Sequence, residues 1–155
     1  MQRSSRQSSR QLSSRSLMRG FTLLEIMVVV VILGILAALV APQVIRRIDD
    51  AQITKVKQDI RAYETALNLF RLDNFKYPTT EQGLRSLVQQ PTDPSIRNWK
   101  AGGYIDGMKQ DPWGYEYHYV YPGTHGKEYD LYSLGADNQE GGEGTNADIG
   151  NWNAD

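Results

Sequence analysis

Four carboxylate side chains lie in the glycine-rich stretch GADNQEGGEGTNAD near the end of the 155-residue chain: Asp137, Glu140, Glu143 and Asp148. Hard oxygen ligands on an irregular loop suit Ca²⁺, which accepts carboxylate and carbonyl oxygens in flexible geometries. The spacing after Asp137 does not supply the ligands or the terminal glutamate of an EF-hand. The stretch therefore indicates either a calcium loop of another kind or an acidic loop that only faces solvent.

Glu25 is a second position of interest, because it lies in an otherwise apolar segment from Phe21 to Ala41. Thr22 is the only other polar side chain there. A charge within the hydrocarbon of a membrane costs at least ~2.5–3.5 kcal/mol. A carboxylate at this position therefore predicts a specific partner or role.

The apolar segment is long enough to cross a membrane. Its 21 residues span roughly 30 Å as a helix, which is the hydrocarbon thickness of a bilayer. Five arginines and no acid precede it in residues 1–20, and positive flanks stay on the cytoplasmic side. The pattern predicts an inner-membrane anchor with an exported C-terminal domain, and a cleaved secretory signal peptide is the alternative.

The composition of the exported part restricts its function. Without the five N-terminal arginines, the chain has 12 basic and 18 acidic residues and a formal net charge of −6. This acidic balance argues against a nucleic-acid partner. The chain has no cysteine, so packing, a bound metal or assembly must stabilise the domain in place of disulfides.

An amphipathic helix is predicted over residues 43–72. Charged residues separate an apolar set with spacings of mainly three and four: Ile45, Ile48, Val56, Ile60, Tyr63, Leu67 and Phe70. Pro42 lies between this helix and the apolar segment, and a proline inside a helix kinks or stops it. We expect the two to form one long, kinked helix.

A short helix follows the long one. Thr79 and Gln82 have the spacing of a capping box. The helix that they begin is predicted to bury Leu84, Leu87 and Val88.

A hairpin is predicted near the C-terminus. Residues 115–121 and 128–134 alternate with period two, and the turn sequence PGTHGK separates them. The predicted fold class is therefore α+β: a long N-terminal transmembrane and amphipathic helix packed on a short helix and a small antiparallel sheet.

Other residues with chemical potential are predicted to be structural. His118 and His125 have no cysteine or carboxylate pattern around them, and Trp113 and Trp152 are predicted to pack. Ser133 lacks the Gly-x-Ser-x-Gly context of a nucleophile. A membrane-anchored enzyme would need a convergent set of nucleophile, base or metal ligands, and the sequence does not indicate one.

The stretch RGFTLLEIMVVVVILGILAALVAPQVI resembles the N-terminal signal of type IV pilin-like proteins, which has a basic leader ending in glycine, then Phe-Thr-Leu-Leu-Glu and an apolar run. In that family, a membrane aspartyl peptidase cuts after the glycine and methylates the new N-terminus. The resemblance implies cleavage between Gly20 and Phe21, with N-methylation of Phe21. The 20-residue leader is longer than usual in the group, and a start at Met18 would leave a very short one.

Three further stretches resemble the major pseudopilins of type II secretion systems: YPTTEQGLRSLV, DPWGYEYHYVYPG and YDLYSLGADNQEGGEGTNADIGNW. The resemblance implies a type IV pilin-like fold. It also implies a cleaved cytoplasmic leader over 1–20, a transmembrane helix over 21–41 and a periplasmic domain over 42–155. Those pseudopilins carry a C-terminal metal-binding loop, which corresponds here to residues 134–149.

The same resemblance implies that Ca²⁺ binds in this loop. Asp137 and Asp148 would then be side-chain ligands. The carbonyls of Leu134 and Gln139 would help to complete the shell.

The resemblance also implies a role for Glu25 in assembly. After cleavage, the amine of Phe21 lies one helical turn away, and pairing offsets part of the cost of placing each charge in the membrane. In the family this pairing is between subunits and sets the register of a helical homopolymer. Pairing within one chain, or extension of Glu25 to the membrane surface, is the alternative.

The function implied is that of a structural major subunit of a periplasmic pseudopilus that helps to drive folded exoproteins across the outer membrane. The implied partners are other copies of the chain, minor pseudopilins, an inner-membrane assembly platform and a prepilin peptidase/methyltransferase. The alternative is a type IV pilin of a surface fibre for adhesion, motility or DNA uptake. Such pilins often carry a C-terminal disulfide loop, which a chain without cysteine cannot form.

Overall fold

The computed structural model describes residues 20–154. Residues 1–19, which include nearly all of the predicted leader, and residue 155 lie outside the described residues. The chain divides into two compact units, of which the first ends at Ala41 and the second begins at Pro42.

The longest element is α1, which runs from Leu23 to Asn74. The prediction of one long helix is confirmed, and Pro42 lies inside it rather than at its end. A kink at this proline stays a prediction. The hydroxyl of Thr22 accepts a hydrogen bond from the backbone N–H of Glu25, with 3.2 Å between the two atoms, so Thr22 caps the start of α1.

The first unit exposes the apolar side chains of α1. Every large apolar residue from Leu23 to Val40 is exposed. An 18-residue window of α1 near the N-terminus has a mean hydropathy of 3.1, and none of it is buried. By length and composition, this part of α1 is able to cross a membrane.

In the second unit, α1 buries one face at spacings of three and four: Val56, Ile60, Tyr63, Leu67 and Phe70. This face packs in one core cluster with apolar residues from the rest of the unit, including Leu87, Tyr117 and Leu131. Ile45 and Ile48 belong to the same predicted apolar set, but both are exposed. The core cluster begins only at Ile53, so these earlier residues have no core to pack against.

The two hydrogen bonds of the predicted capping box are present, but they close a turn over residues 80–83 that precedes the short helix. The hydroxyl of Thr79 accepts the N–H of Gln82 at 3.2 Å, and the Gln82 side chain accepts the N–H of Thr79 at 3.0 Å. The regular helix is shorter than expected, a single 3₁₀ turn over Leu84–Leu87, because Gly83 has a left-handed φ of 55°. Both leucines are buried, whereas Val88 is only half-buried.

Three short strands form an antiparallel sheet in the order β1-β2-β3: β1 (His118–Val120), β2 (Asp130–Ser133) and β3 (Ile149–Gly150). The predicted hairpin is confirmed, with Tyr119 opposite Leu131. Its strands are shorter than the alternation predicts, because Glu116 forms an isolated bridge with Gln110 and Pro122 has no N–H to extend β1. The sequence did not predict β3, since two residues cannot show an alternating pattern.

Asp59 connects α1 to the loop before β1. Its carboxylate is largely buried and accepts hydrogen bonds from Lys55, from Lys109 at 3.0 Å and from the Tyr117 hydroxyl at 3.1 Å. Burial raises the pKa of Asp59, but the hydrogen bonds from Lys55, Lys109 and Tyr117 outweigh it and lower the pKa overall. The ionised form is therefore the one that stabilises the fold.

We expect Asp59→Asn to lower the free energy of unfolding at neutral pH by about 1.5–3 kcal/mol, the range for a hydrogen bond to a charged group. Because the pKa of Asp59 is lower in the folded state, its stabilisation is present above the unfolded pKa and is lost as the pH falls through the folded pKa. The difference between wild type and variant should therefore shrink on acidification. Denaturant unfolding of the full chain in detergent, at neutral pH and at about pH 3, measures it.

Glu81→Gln, which removes an exposed carboxylate, controls for the general effect of one lost acid. A stability difference between wild type and Asp59→Asn that is the same at both pH values would contradict this account.

Candidate functional site

The two ends of the acidic loop are held together by the sheet. Ser133 on β2 is paired with Ile149 on β3, and the loop between them begins with Leu134 and ends with Asp148. Further into the loop, the N–H of Ala136 donates to the carbonyl of Thr145 at 2.9 Å. Two of the predicted ligand residues, Leu134 and Asp148, are therefore each adjacent to a paired strand residue at the base of the loop.

Glycine allows the two sides of this loop to approach closely. Gly135 has a φ of 71°, and a Cβ at this position would lie 2.7 Å from the carbonyl carbon of Asn146. No side chain fits in that space, so residue 135 must be glycine for the base of the loop to close.

Asp148 has one carboxylate oxygen in use and one without a partner. Oδ2 accepts the N–H of Gly141 at 3.0 Å, and the backbone N–H of Asp148 donates to the carbonyl of Gly141 at 3.2 Å. Oδ1 is buried, and the described residues give it no hydrogen-bond donor. A buried carboxylate oxygen without a donor is unfavourable, and a cation would satisfy it. This observation fits the predicted calcium site.

The other two predicted ligand residues lie in an exposed turn. Oδ1 of Asp137 accepts the N–H of Gln139 at 3.2 Å, and both residues are exposed. Among the described residues, no group of three or more His, Cys, Asp or Glu could hold a metal ion. A calcium site would therefore combine two carboxylates with backbone carbonyls, as predicted for Leu134 and Gln139.

A buried polar network lies beside the base of the loop. The hydroxyl of Ser133 donates to Oδ2 of Asp111 at 2.6 Å and accepts the N–H of Gly135 at 3.2 Å. Oδ1 of Asp111 accepts the N–H groups of Trp113 and Tyr115 at 3.1 and 2.8 Å. This network was not predicted, although Asp-Pro-Trp-Gly is a turn signal in which the aspartate can accept backbone N–H groups.

A second network ties the hairpin turn to the C-terminus. The buried carboxylate of Asp130 accepts hydrogen bonds from the N–H and hydroxyl of Thr124, both at 2.7 Å, and is 2.9 Å from Nδ1 of His125. The His125 ring stacks on Trp152 with 3.9 Å between centroids. Burial raises the pKa of Asp130, but the bonds from Thr124 and His125 lower it overall.

These contacts are consistent with structural roles for the histidines and tryptophans. His118 stacks on Tyr132 at 5.2 Å between centroids, and Trp113 packs against the core cluster. The expectation that His125 has no carboxylate partner is wrong, because the hairpin turn brings its ring against Asp130 at the start of β2.

The predicted processing and assembly residues lie at the start of the described residues. Gly20, Phe21 and Glu25 are all exposed. The leader up to residue 19 lies outside the described residues, so cleavage, methylation and the pairing of Glu25 stay predictions.

Family models match both parts of the chain. Residues 15–41 match the prokaryotic N-terminal methylation motif. Residues 43–152 match protein G of the type II secretion system.

Relatives extend the match over most of the chain. It is 59% identical over 134 residues to the type II secretion system core protein G of Pseudomonas aeruginosa, covering 86% of this chain and 94% of that protein. It is 57% identical over 134 residues to the core protein G of Vibrio cholerae, covering 86% and 91%.

A solved structure agrees with these matches. The crystal structure of the major pseudopilin from the type 2 secretion system of enterohaemorrhagic Escherichia coli is similar at a TM-score of 0.61 and 45% identity, over 70% of this chain and 92% of that chain. The long helix and small antiparallel sheet are thus a type IV pilin-like fold, and the chain belongs to the type II secretion system protein G family.

Proposed function

We propose that this chain is the structural major subunit of the periplasmic pseudopilus of a type II secretion system, where its polymerisation helps to drive folded exoproteins across the outer membrane. The observation that carries the proposal is the similarity, in sequence and fold together, to a solved major pseudopilin. The matched relatives are also secretion-system proteins, which does not favour the alternative of a type IV pilin for a surface fibre.

The proposed role is mechanical and not enzymatic. The family match is to a pseudopilin subunit, and the buried carboxylates Asp59, Asp111 and Asp130 make hydrogen bonds that hold the fold. The work of extending the pseudopilus would come from other components. The partners are further copies of this chain, minor pseudopilins, the inner-membrane assembly platform and the prepilin peptidase/methyltransferase.

Membrane anchoring supports this proposal. The apolar part of α1 is fully exposed and long enough to cross a bilayer. Its apolar side chains would be unfavourable in water, whereas the hydrocarbon of a membrane would accommodate them. The arginine-rich segment before it favours a cytoplasmic N-terminus, and this supports a periplasmic location for the second unit.

Glu25 provides a mechanism for assembly. Because Thr22 caps α1 through the backbone of Glu25, Glu25 lies in the first turn of the helix, next to the amine that cleavage would create at Phe21. An amine of one subunit and the carboxylate of a neighbour would each satisfy a charge that is expensive in the membrane. Polymerisation is thereby favoured in one register.

Calcium is proposed as the ion of the acidic loop. The unpartnered Oδ1 of Asp148 and the position of Leu134 at the base of the same loop support this proposal. Bound Ca²⁺ would neutralise the carboxylates and order the glycine-rich backbone between β2 and β3.

Cleavage should occur after Gly20. We expect mass spectrometry of the mature protein to find methylated Phe21 at the N-terminus, and Gly20→Arg to leave uncleaved precursor, because a large charged side chain would block the peptidase. Gly34→Ala, where an added Cβ meets nothing within 4 Å, is the control and should be processed normally. A mature N-terminus beyond Pro42 would show ordinary signal-peptide removal instead.

Loss of the Glu25 carboxylate should prevent assembly without preventing insertion. We expect Glu25→Ala and Glu25→Lys to fractionate with membranes but to form few filaments, since alanine leaves the neighbour's amine unpaired and lysine repels it. Glu25→Asp keeps the anion and should retain part of the assembly. Electron microscopy of filaments and an exoprotein secretion assay provide the readout, and normal filaments from Glu25→Lys would refute the pairing.

Calcium should stabilise the second unit through Asp148. At a free-ion concentration 100-fold above Kd, we expect a gain of about 2.7 kcal/mol, seen as a higher Tm of the full chain in detergent with calcium than with chelator. Asp148→Asn should abolish this difference, because the amide cannot replace the unpartnered anionic oxygen. Magnesium should substitute poorly, since it requires a tighter octahedral shell.

The matched control is Glu143→Gln, which removes the same charge from the same loop at a position not predicted to bind the ion. It should keep the calcium-dependent rise in Tm. Identical melting curves of the wild type with calcium and with chelator would contradict the calcium site and favour the alternative of an acidic loop that only faces solvent.

A further inference from the structure

The peptide bond between Leu134 and Gly135 is oriented by a hydrogen bond to its N–H group. Its N–H, which belongs to Gly135, donates to the Ser133 hydroxyl at 3.2 Å. Its C=O belongs to Leu134 and is a predicted ligand. Because a trans peptide is planar, its N–H and C=O point in opposite directions. The hydrogen bond to Ser133 therefore fixes the direction in which the Leu134 carbonyl points.

The Ser133 side chain is itself fixed by Asp111. Ser133 is fully buried, Asp111 is nearly so, and the hydroxyl donates to Oδ2 of Asp111 at 2.6 Å. Since that hydroxyl has one proton, which points at the carboxylate, its lone pairs are available to accept the Gly135 N–H. Asp111 in turn is held by the N–H groups of Trp113 and Tyr115.

These bonds form a chain in which each strengthens the next. The carboxylate of Asp111 polarises the hydroxyl of Ser133, which then accepts more strongly from Gly135. An amide whose N–H is bonded in this way is a better acceptor at its own carbonyl. Polarisation of this kind, which begins at the buried carboxylate of Asp111, increases the negative partial charge on the Leu134 oxygen.

We propose that Asp111 and Ser133 are positioning residues for the calcium loop, and that they orient and polarise the Leu134 carbonyl toward the ion. This inference rests on the proposed calcium site and adds to it two residues that do not touch the ion. Removal of a residue that orients a metal ligand through a hydrogen bond typically weakens metal binding by roughly 10- to 100-fold.

A purely structural role would give a different result. If Ser133 only satisfied the buried Asp111, its removal would destabilise the calcium-free and calcium-bound chains equally. A positioning role predicts that stability is lost selectively in the calcium-bound state. The affinity for calcium and the calcium-dependent rise in Tm therefore both distinguish a positioning role from a purely structural one.

The experiment uses the full chain in detergent, stripped with chelator and titrated with calcium chloride by calorimetry, with Tm measured in both states. We expect Ser133→Ala to weaken calcium binding by about tenfold or more and to reduce the calcium-dependent rise in Tm. Ser133→Thr, which keeps the hydroxyl, should restore most of the affinity. Asp111→Asn gives a second reading if Ser133→Ala does not fold, and it should also weaken binding.

Tyr117→Phe is the matched control, because it removes a buried hydroxyl that bonds to Asp59 rather than to the loop. It should lower Tm equally with calcium and with chelator and leave the affinity unchanged. If Ser133→Ala behaves like Tyr117→Phe, the positioning role is overturned while the calcium site stands. If the wild type itself binds no calcium, the calcium site and this inference fall together, and the pseudopilus role is tested separately by filament formation.

Discussion

Carboxylates that are removed from water constrain this structure, because each one needs hydrogen-bond donors or a cation to remain ionised. Asp59 is satisfied by two lysines and a tyrosine, and Asp130 by Thr124 and His125. The bonds from Lys109 and Tyr117 join Asp59 on α1 to residues that are distant in sequence, whereas the bonds of Asp130 close the hairpin turn that precedes β2. The compensation of negative charge therefore helps to fix which loops lie against α1 and against the sheet.

Among the described residues, Asp148 and Glu25 each have a carboxylate whose charge the chain itself does not fully compensate in the proposed environment. Oδ1 of Asp148 is buried without a donor among the described residues, and Glu25 lies in a segment suited to a membrane. Each of these carboxylates needs a compensating positive charge, and in our account that charge comes from outside the subunit. A calcium ion would satisfy Asp148, and the amine of a neighbouring subunit would satisfy Glu25. Folding of the loop and assembly of subunits then both depend on the compensation of a carboxylate by a positive charge.

Local patterns in the sequence were sufficient to predict part of this structure. The uninterrupted apolar run, the Thr79–Gln82 capping box and the alternation around the hairpin depend on neighbours within a few residues, and all three are present in the structure. Within the apolar face of α1, however, periodicity could not show where the core begins. Ile48 follows the same pattern as Val56 but has nothing to pack against.

Features that depend on distant residues were not visible in the sequence. β3 is defined by its pairing with β2 and not by its own two residues. The contacts of Asp111 with Ser133 and of His125 with Trp152 join positions 22 and 27 residues apart. The predicted ligands Asp137 and Asp148 came from a family resemblance, and only the structure shows that Asp148 has an oxygen without a partner.

A cryo-electron microscopy reconstruction of the filament, prepared in calcium from the processed chain, tests most directly the claim that both remaining carboxylates are satisfied from outside the subunit. The account predicts a helical filament in which Glu25 lies within ion-pair distance of the Phe21 amine of a neighbouring subunit, with density for an ion beside Oδ1 of Asp148. A filament in which Glu25 faces lipid or its own N-terminus, and in which Asp148 has no ion, would contradict it.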